Sequence, residues 1–140
     1  MTSPRARLAV LASVAAIAMA ACVSSGASPS APVSSATAGP LDVLTSYLTA
    51  LKAGDCETAH KYVTSTFRIS NGELCGGVTV SAFTPPGEPA TPADGEMIFS
   101  TELTTGGDGV SIRAGQMTWF YSLAKQPDGA WRLIGGGSGP

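Results

Sequence analysis

Residues 41–140 predict an α+β domain, with two or three helices first and an antiparallel sheet of about four strands after them. Three observations carry the prediction. Apolar residues recur at helical spacing over residues 41–67, and they alternate at strand spacing in four later runs. Glycine, proline, asparagine and aspartate punctuate the chain between those runs. Helices that precede strands, without β-α alternation, make two segregated layers rather than a parallel sheet.

Leu41, Leu44, Tyr47/Leu48 and Leu51 mark the first helix, which opens at Pro40 or Asp42. Gly54 suits its left-handed end and Lys52 its last turn. Asp55 suits an N-cap, so a second helix starts at once, with Glu57 in its first turn and Ala59, Tyr62, Val63 and Phe67 on its apolar side. Asn71-Gly72 reads as a turn and Cys75-Gly76-Gly77 as a breaker. VTVSAF (78–83) alternates like a strand, and five prolines and glycines between 85 and 92 make 84–95 a loop. EMIFSTEL (96–103) puts Met97, Phe99 and Leu103 on one face, and 104–109 turns. MTWFYSLAK (117–125) aligns Met117, Trp119, Tyr121 and Leu123; Pro127-Asp128-Gly129 then turns the chain into AWRLIG (130–135). The closing GGGSGP is expected to have no structure of its own.

The chain ahead of this domain has a different character. Arg5 and Arg7 precede Leu8–Ala21, 14 residues without a charge, and Cys22 follows. A basic start, a short apolar run and small residues before a processing point describe an export signal. The run is short for a membrane span, which needs about 20 apolar residues. Met19-Ala20-Ala21-Cys22 resembles the lipobox of bacterial lipoproteins, with Met where Leu is preferred. That resemblance implies removal of residues 1–21 and acylation of Cys22, an anchor to the cell membrane on its extracytoplasmic face. Two or three acyl chains, at about 0.8 kcal/mol per buried methylene, hold stably where one does not. Residues 23–40 contain six Ser, four Ala and three Pro with no charge and no aromatic. Such a segment buries too little to offset its ordering entropy, so 22–40 reads as a disordered tether behind the lipidated cysteine.

Within the domain, YLxALxAGDxxxAxxYV (Tyr47–Val63) and DGxWRL (Asp128–Leu133) resemble the nuclear transport factor 2-like superfamily. The resemblance implies helices curling against a strongly curved sheet, a cone whose interior holds an Asp, His or Tyr in members that are isomerases or dehydratases. The whole chain is similar to small lipoproteins of GC-rich Gram-positive bacteria.

Residues able to do chemistry are few. With Cys22 assigned to lipid, Cys56 and Cys75 remain, and an even pair outside the cytoplasm reads as a disulfide. Eighteen residues lie between them, a loop whose closure stabilises by about 3 kcal/mol in the chain-entropy model. His60, the single histidine, reads as half-exposed on a short helix. Metal sites of the zinc kind want three or four ligands, more than His60 can gather once both thiols are oxidised, so no metal or cofactor is expected. Glu102 has solvent parity and pairs across the hairpin with Arg113, Glu96 sits at a rim, and Asp55 is a cap. Tyr47, His60, Trp119 and Tyr121 are the candidate pocket residues, with core as the competing role for the aromatics. Six Lys and Arg face ten Asp and Glu in 41–140, a net of −4 with no basic patch, which argues against nucleic acid.

The expectation is a lipid-anchored envelope module that binds a small apolar ligand or an envelope protein without catalysis. Two alternatives stand beside it: a small isomerase or dehydratase drawing on Tyr47, His60 or Tyr121, and a purely structural displayed domain.

Overall fold

A computed structural model describes residues 38–70, 72–91 and 95–139. The expected signal segment, Cys22 and the expected tether up to residue 37 lie outside the described residues, as do Asn71 of the expected turn and residues 92–94 of the expected loop. The domain is α+β: helices come first, then a four-stranded antiparallel sheet in the order β1-β2-β3-β4. The strands are β1 (Val80–Phe83), β2 (Met97–Thr105), β3 (Gly115–Lys125) and β4 (Trp131–Gly137). Every strand pairs with its sequence neighbour, and the sheet is open.

Helix α1 spans Pro40–Ala53. Proline fits the first turn because that position has no helical partner for an N–H. Asp42 accepts from the Gly39 N–H at 3.2 Å. Gly54 ends the helix at φ 71°, in the left-handed region glycine enters without a Cβ penalty. The buried stripe is Val43, Leu44, Tyr47, Leu48, Ala50 and Leu51, one step round from the expected one. Leu41 is therefore 45% exposed, although its spacing placed it on the apolar side.

The second helix is broken in three. α2 covers only Cys56–Ala59, with Asp55 accepting the Thr58 N–H at 3.0 Å as its cap. A 3₁₀ turn follows at His60–Tyr62, and α3 covers Ser65–Arg68. Between them Val63 is extended and bridges Leu133 in parallel, while the Thr64 N–H donates to the Leu133 carbonyl at 3.0 Å. The helix stops because β4 offers an unpaired edge, and a β-branched pair takes it more readily than a helical turn. The Thr64 hydroxyl then caps α3 by accepting from Phe67 N–H at 3.2 Å.

The sheet buries Phe99, Thr101, Leu103 and Thr105 of β2 with Trp119, Tyr121 and Leu123 of β3 and Leu133 of β4. Phe99 stands opposite Tyr121 and Thr101 opposite Trp119. Both buried threonines are satisfied: Thr101 donates to the Thr84 carbonyl at 2.7 Å and Thr105 to that of Arg113 at 2.9 Å. Tyr47 joins the layers edge-on to Tyr121, ring centroids 5.5 Å apart.

Several boundaries differ from the sequence expectation. β1 starts at Val80, because the Val78 N–H is already used on the Leu74 carbonyl. Residues 84–90 do not leave the sheet but follow β2 irregularly, through Thr84 to Glu102 at 3.0 Å and Ala90 to Ile98 at 2.9 Å. β2 runs on to Thr105 and β3 begins at Gly115, so the turn between them tightens around Asp108. One Asp108 oxygen accepts the N–H groups of Val110, Ser111 and Ile112, each at 2.8 Å. Those bonds, with the Ser111 hydroxyl, hold its carboxyl well below the usual carboxylate range. Glu102 accepts from Thr118, not from Arg113.

The glycine tail is the largest correction. Gly135, Gly136 and Gly137 pair with Ser122, Tyr121 and Phe120, after a bulge at Ile134 restores register. Their lack of side chains is used: a Cβ on Gly72 would stand 2.2 Å from the Gly136 carbonyl oxygen, and one on Gly136 would meet Trp119 Nε1 at 3.1 Å. The chain after α3 thus lies backbone to backbone on β4.

Cys56 and Cys75 are joined, with Cα atoms 5.5 Å apart, and the bond ties the start of α2 to the segment before β1. The Cys56→Ser, Cys75→Ser double variant should lose about 3 kcal/mol of unfolding free energy. Urea titration of the mature protein checks it, and dithiothreitol should lower the wild-type midpoint while leaving the variant unchanged.

Candidate functional site

The disulfide decides which polar groups meet. His60 lies one helical turn after Cys56, and Glu73 lies two residues before Cys75, so joining the sulfurs draws the imidazole and the carboxylate together. Glu73 has a side chain only 6% exposed. Its Oε1 accepts the Tyr47 hydroxyl at 2.9 Å and the Cys75 N–H at 2.8 Å. Its Oε2 faces His60 Nε2 at 3.8 Å, close enough for a charge pair if the ring is protonated but too far for a hydrogen bond.

His60 is part-buried at the end of a short helix, near the half-exposed residue expected, but its Nε2 is turned inward. It opens the 3₁₀ turn, its side chain is 20% exposed, and Nε2 is buried. The acid that faces His60, which the sequence did not suggest, is Glu73. Glu73 belongs to neither a strand nor a helix, so no periodicity marks it in the sequence. The pairing of Cys56 with Cys75 was the signal that could have found it.

The four candidate pocket residues divide into two groups. Tyr47 and Tyr121 are fully buried core residues whose hydroxyl ends turn toward Glu73. Burial first, then the neighbouring tyrosine and the Glu73 carboxylate, push the Tyr47 phenol up; burial and then Glu73 do the same for Tyr121. His60 joins them through Glu73. Trp119 lies two residues before Tyr121 on the same buried face of β3, with its Nε1 against Gly136.

Buried polar side-chain atoms without a hydrogen-bond partner are four among the described residues: His60 Nε2, Glu73 Oε2, Trp119 Nε1 and Tyr121 OH. Most buried polar atoms in folded proteins are paired, so such atoms call for an account. Glu73 and Trp119 also wall a groove of about 550 Å³ between the Asp108 turn and the end of β4. Ile112 and Met117 supply its apolar side, Gly136 and Ser138 its rim. A second groove of about 380 Å³ runs beside the disulfide, bounded by Gly54, Gly76 and Val78. It holds none of the unpartnered atoms.

No group of three or more His, Cys, Asp and Glu side chains is placed to hold a metal ion among the described residues. None of the described helices is long and apolar enough to cross a membrane. Comparison with protein-family models, curated proteins and solved structures found no match to this chain.

The raised phenols have a measurable consequence. An unfolded tyrosine ionises near pH 10, whereas Tyr47 and Tyr121 ionise higher while folded. Their contribution to stability is therefore complete below about pH 10 and is lost as the pH climbs above it, by up to about 1.4 kcal/mol per pH unit for each ring. Urea midpoints at pH 8 and 11 should fall further in the wild type than in Tyr47→Phe. Equal falls would mean that Tyr47 is not the buried neutral phenol described.

Proposed function

We propose that the chain is an extracytoplasmic lipoprotein, held to the cell membrane by acylated Cys22, whose nuclear transport factor 2-like domain binds a ligand without transforming it. The observation that carries the binding part is the groove walled by Glu73 and Trp119, each with a buried polar atom lacking a partner. An interior otherwise filled by Tyr47, Tyr121, Phe99 and Leu103 favours a ligand seated at this margin over one inside a cone. The disulfide supports the location, since such bonds persist outside reducing compartments. The domain's net charge of −4 argues against nucleic acid as the partner.

The isomerase or dehydratase alternative draws support from one specific feature, the trio Tyr47, Glu73 and His60. A carboxylate facing an imidazole beside two neutral phenols is a set that acid–base chemistry can use. Against it, Glu73 Oε1 is committed to Tyr47 and Cys75, and both phenols are buried too deeply to ionise near neutral pH.

Fractionation of an expressing bacterium tests the anchor. The wild-type chain should sediment with membranes, need detergent for release, and show an intact mass that begins at Cys22 with acyl groups added. Cys22→Ala should abolish the acyl mass. A mature chain that retains residues 1–21, or carries an unmodified Cys22, would overturn the proposal.

A further inference from the structure

The groove borders a stretch of open sheet edge, and the kind of partner it takes, which rests on the binding proposal above, follows from that edge. Strand β3 pairs with β2 over Gly115–Leu123 without a register shift. On its other side β4 pairs with it only from Phe120 onward, and the chain bends at Ser138. Gly115–Trp119, five residues and about 17 Å of strand, therefore have a neighbour on one side alone among the described residues. Backbone N–H and C=O groups on the other side are left to water.

Open edges invite pairing with another chain, and folded proteins guard them with charge, proline, bulges, very short strands or a covering segment. The outer edges of this sheet are guarded in these ways. β1 has four residues and a register shift between Val80 and Ala82. β4 is met by Val63 and Thr64 at Leu133 and by Gly72 at Gly136. The run GQMTW (115–119) has no charge and no proline, and its ladder with β2 is regular. Gly115, Gln116 and Thr118 are exposed.

Side chains and charge narrow the choice of partner. Met117, on the inner face of this half-edge, lines the groove with Ile112 and Val78. A chain laid along β3 beyond the end of β4 sets every second side chain against that apolar wall. Asp108 lies at the groove and Glu102 stands opposite Thr118 on the outer face. Neither the groove wall nor GQMTW carries a lysine, arginine or histidine. A second copy of β3 would bring no cation to these carboxylates, whereas a segment with Lys or Arg beside its apolar residues does.

We infer that the partner is an extended, basic segment of another protein, apolar at alternate positions, which adds to the sheet as a strand beside Gly115–Trp119. Main-chain hydrogen bonds to β3 hold it, and the side chain next to Met117 enters the groove.

Nuclear magnetic resonance of the ¹⁵N-labelled mature protein tests this with blocked peptides. Lys-Val-Thr-Val-Lys is the probe and Glu-Val-Thr-Val-Glu the charge control. Two further forms of the basic peptide carry N-methyl groups, one on both valines and the other on the lysines and threonine. Cyclohexanol probes the apolar wall alone. The basic peptide should shift the Gly115–Trp119 amides saturably and slow the hydrogen exchange of those that turn away from β2. A strand pairs through one of its edges, so one methylated form should bind at least tenfold more weakly and the other nearly unchanged. The acidic peptide should also bind at least tenfold more weakly. No saturable shift with the basic peptide, equal binding by the two methylated forms, or equal binding by the acidic peptide overturns the inference. Shifts of the same amides that grow with protein concentration in the absence of peptide also overturn it, by giving the edge to a second copy. In any of these cases a saturable cyclohexanol shift at Ile112 or Met117 leaves the binding proposal standing, and without one both fall.

Discussion

The covalent tie between Cys56 and Cys75 is the constraint on which the rest of the domain depends. It joins a helix corner to a stretch with little regular structure, residues 72–79, which would otherwise have few reasons to stay in place. Once that stretch is held, Glu73 has only one place to go. It enters the core beside Tyr47, accepts the Cys75 N–H and faces His60. A carboxylate in such a position needs partners to be tolerated, and the chain supplies them from three separate segments.

A second dependence runs through β4. An edge strand presents unpaired backbone groups, and here Val63 and Thr64 meet them, followed by Gly72 further along. The helical corner is broken as a result. The same contact sets Trp119 under Gly136, so the indole N–H that marks the groove owes its place to the glycine-rich end of the chain. Disulfide and glycine edge thus act on the two flanks of one segment, and the groove opens between that segment and the Asp108 turn.

Together these features describe a small domain whose interior is closed and whose polar interest lies at its margin. Tyr47 and Tyr121 bridge helix and sheet as core residues, edge to face. The Tyr47 hydroxyl donates to Glu73 Oε1, and Glu73 Oε2 faces His60. Tyr47, Tyr121, Phe99 and Leu103 fill the space between helix and sheet and leave little volume for an internal cavity. Binding at the rim fits that shortage better than chemistry in a buried chamber does.

Much of the architecture was legible in residue pattern alone. Helical spacing from Leu44 to Leu51, the Gly54-Asp55 corner, the alternation in EMIFSTEL and MTWFYSLAK and the Pro127-Asp128-Gly129 turn are local signals. Each acts within a few residues, and each appears in the structure where the pattern put it. The Cys56–Cys75 bond was legible by counting cysteines and naming a compartment. What pattern could not supply was anything fixed by contact between distant segments. The break at Val63 depends on the edge of β4, 70 residues later in the chain. Gly135–Gly137 has no strand propensity and pairs because β3 and Gly72 close on it from both sides. Glu73 carries no local signal at all: a lone carboxylate in a turn is ordinarily solvated, and only the disulfide two residues away pulls it into the core. Local preference set the elements, and long-range closure decided which of their polar groups would be buried together.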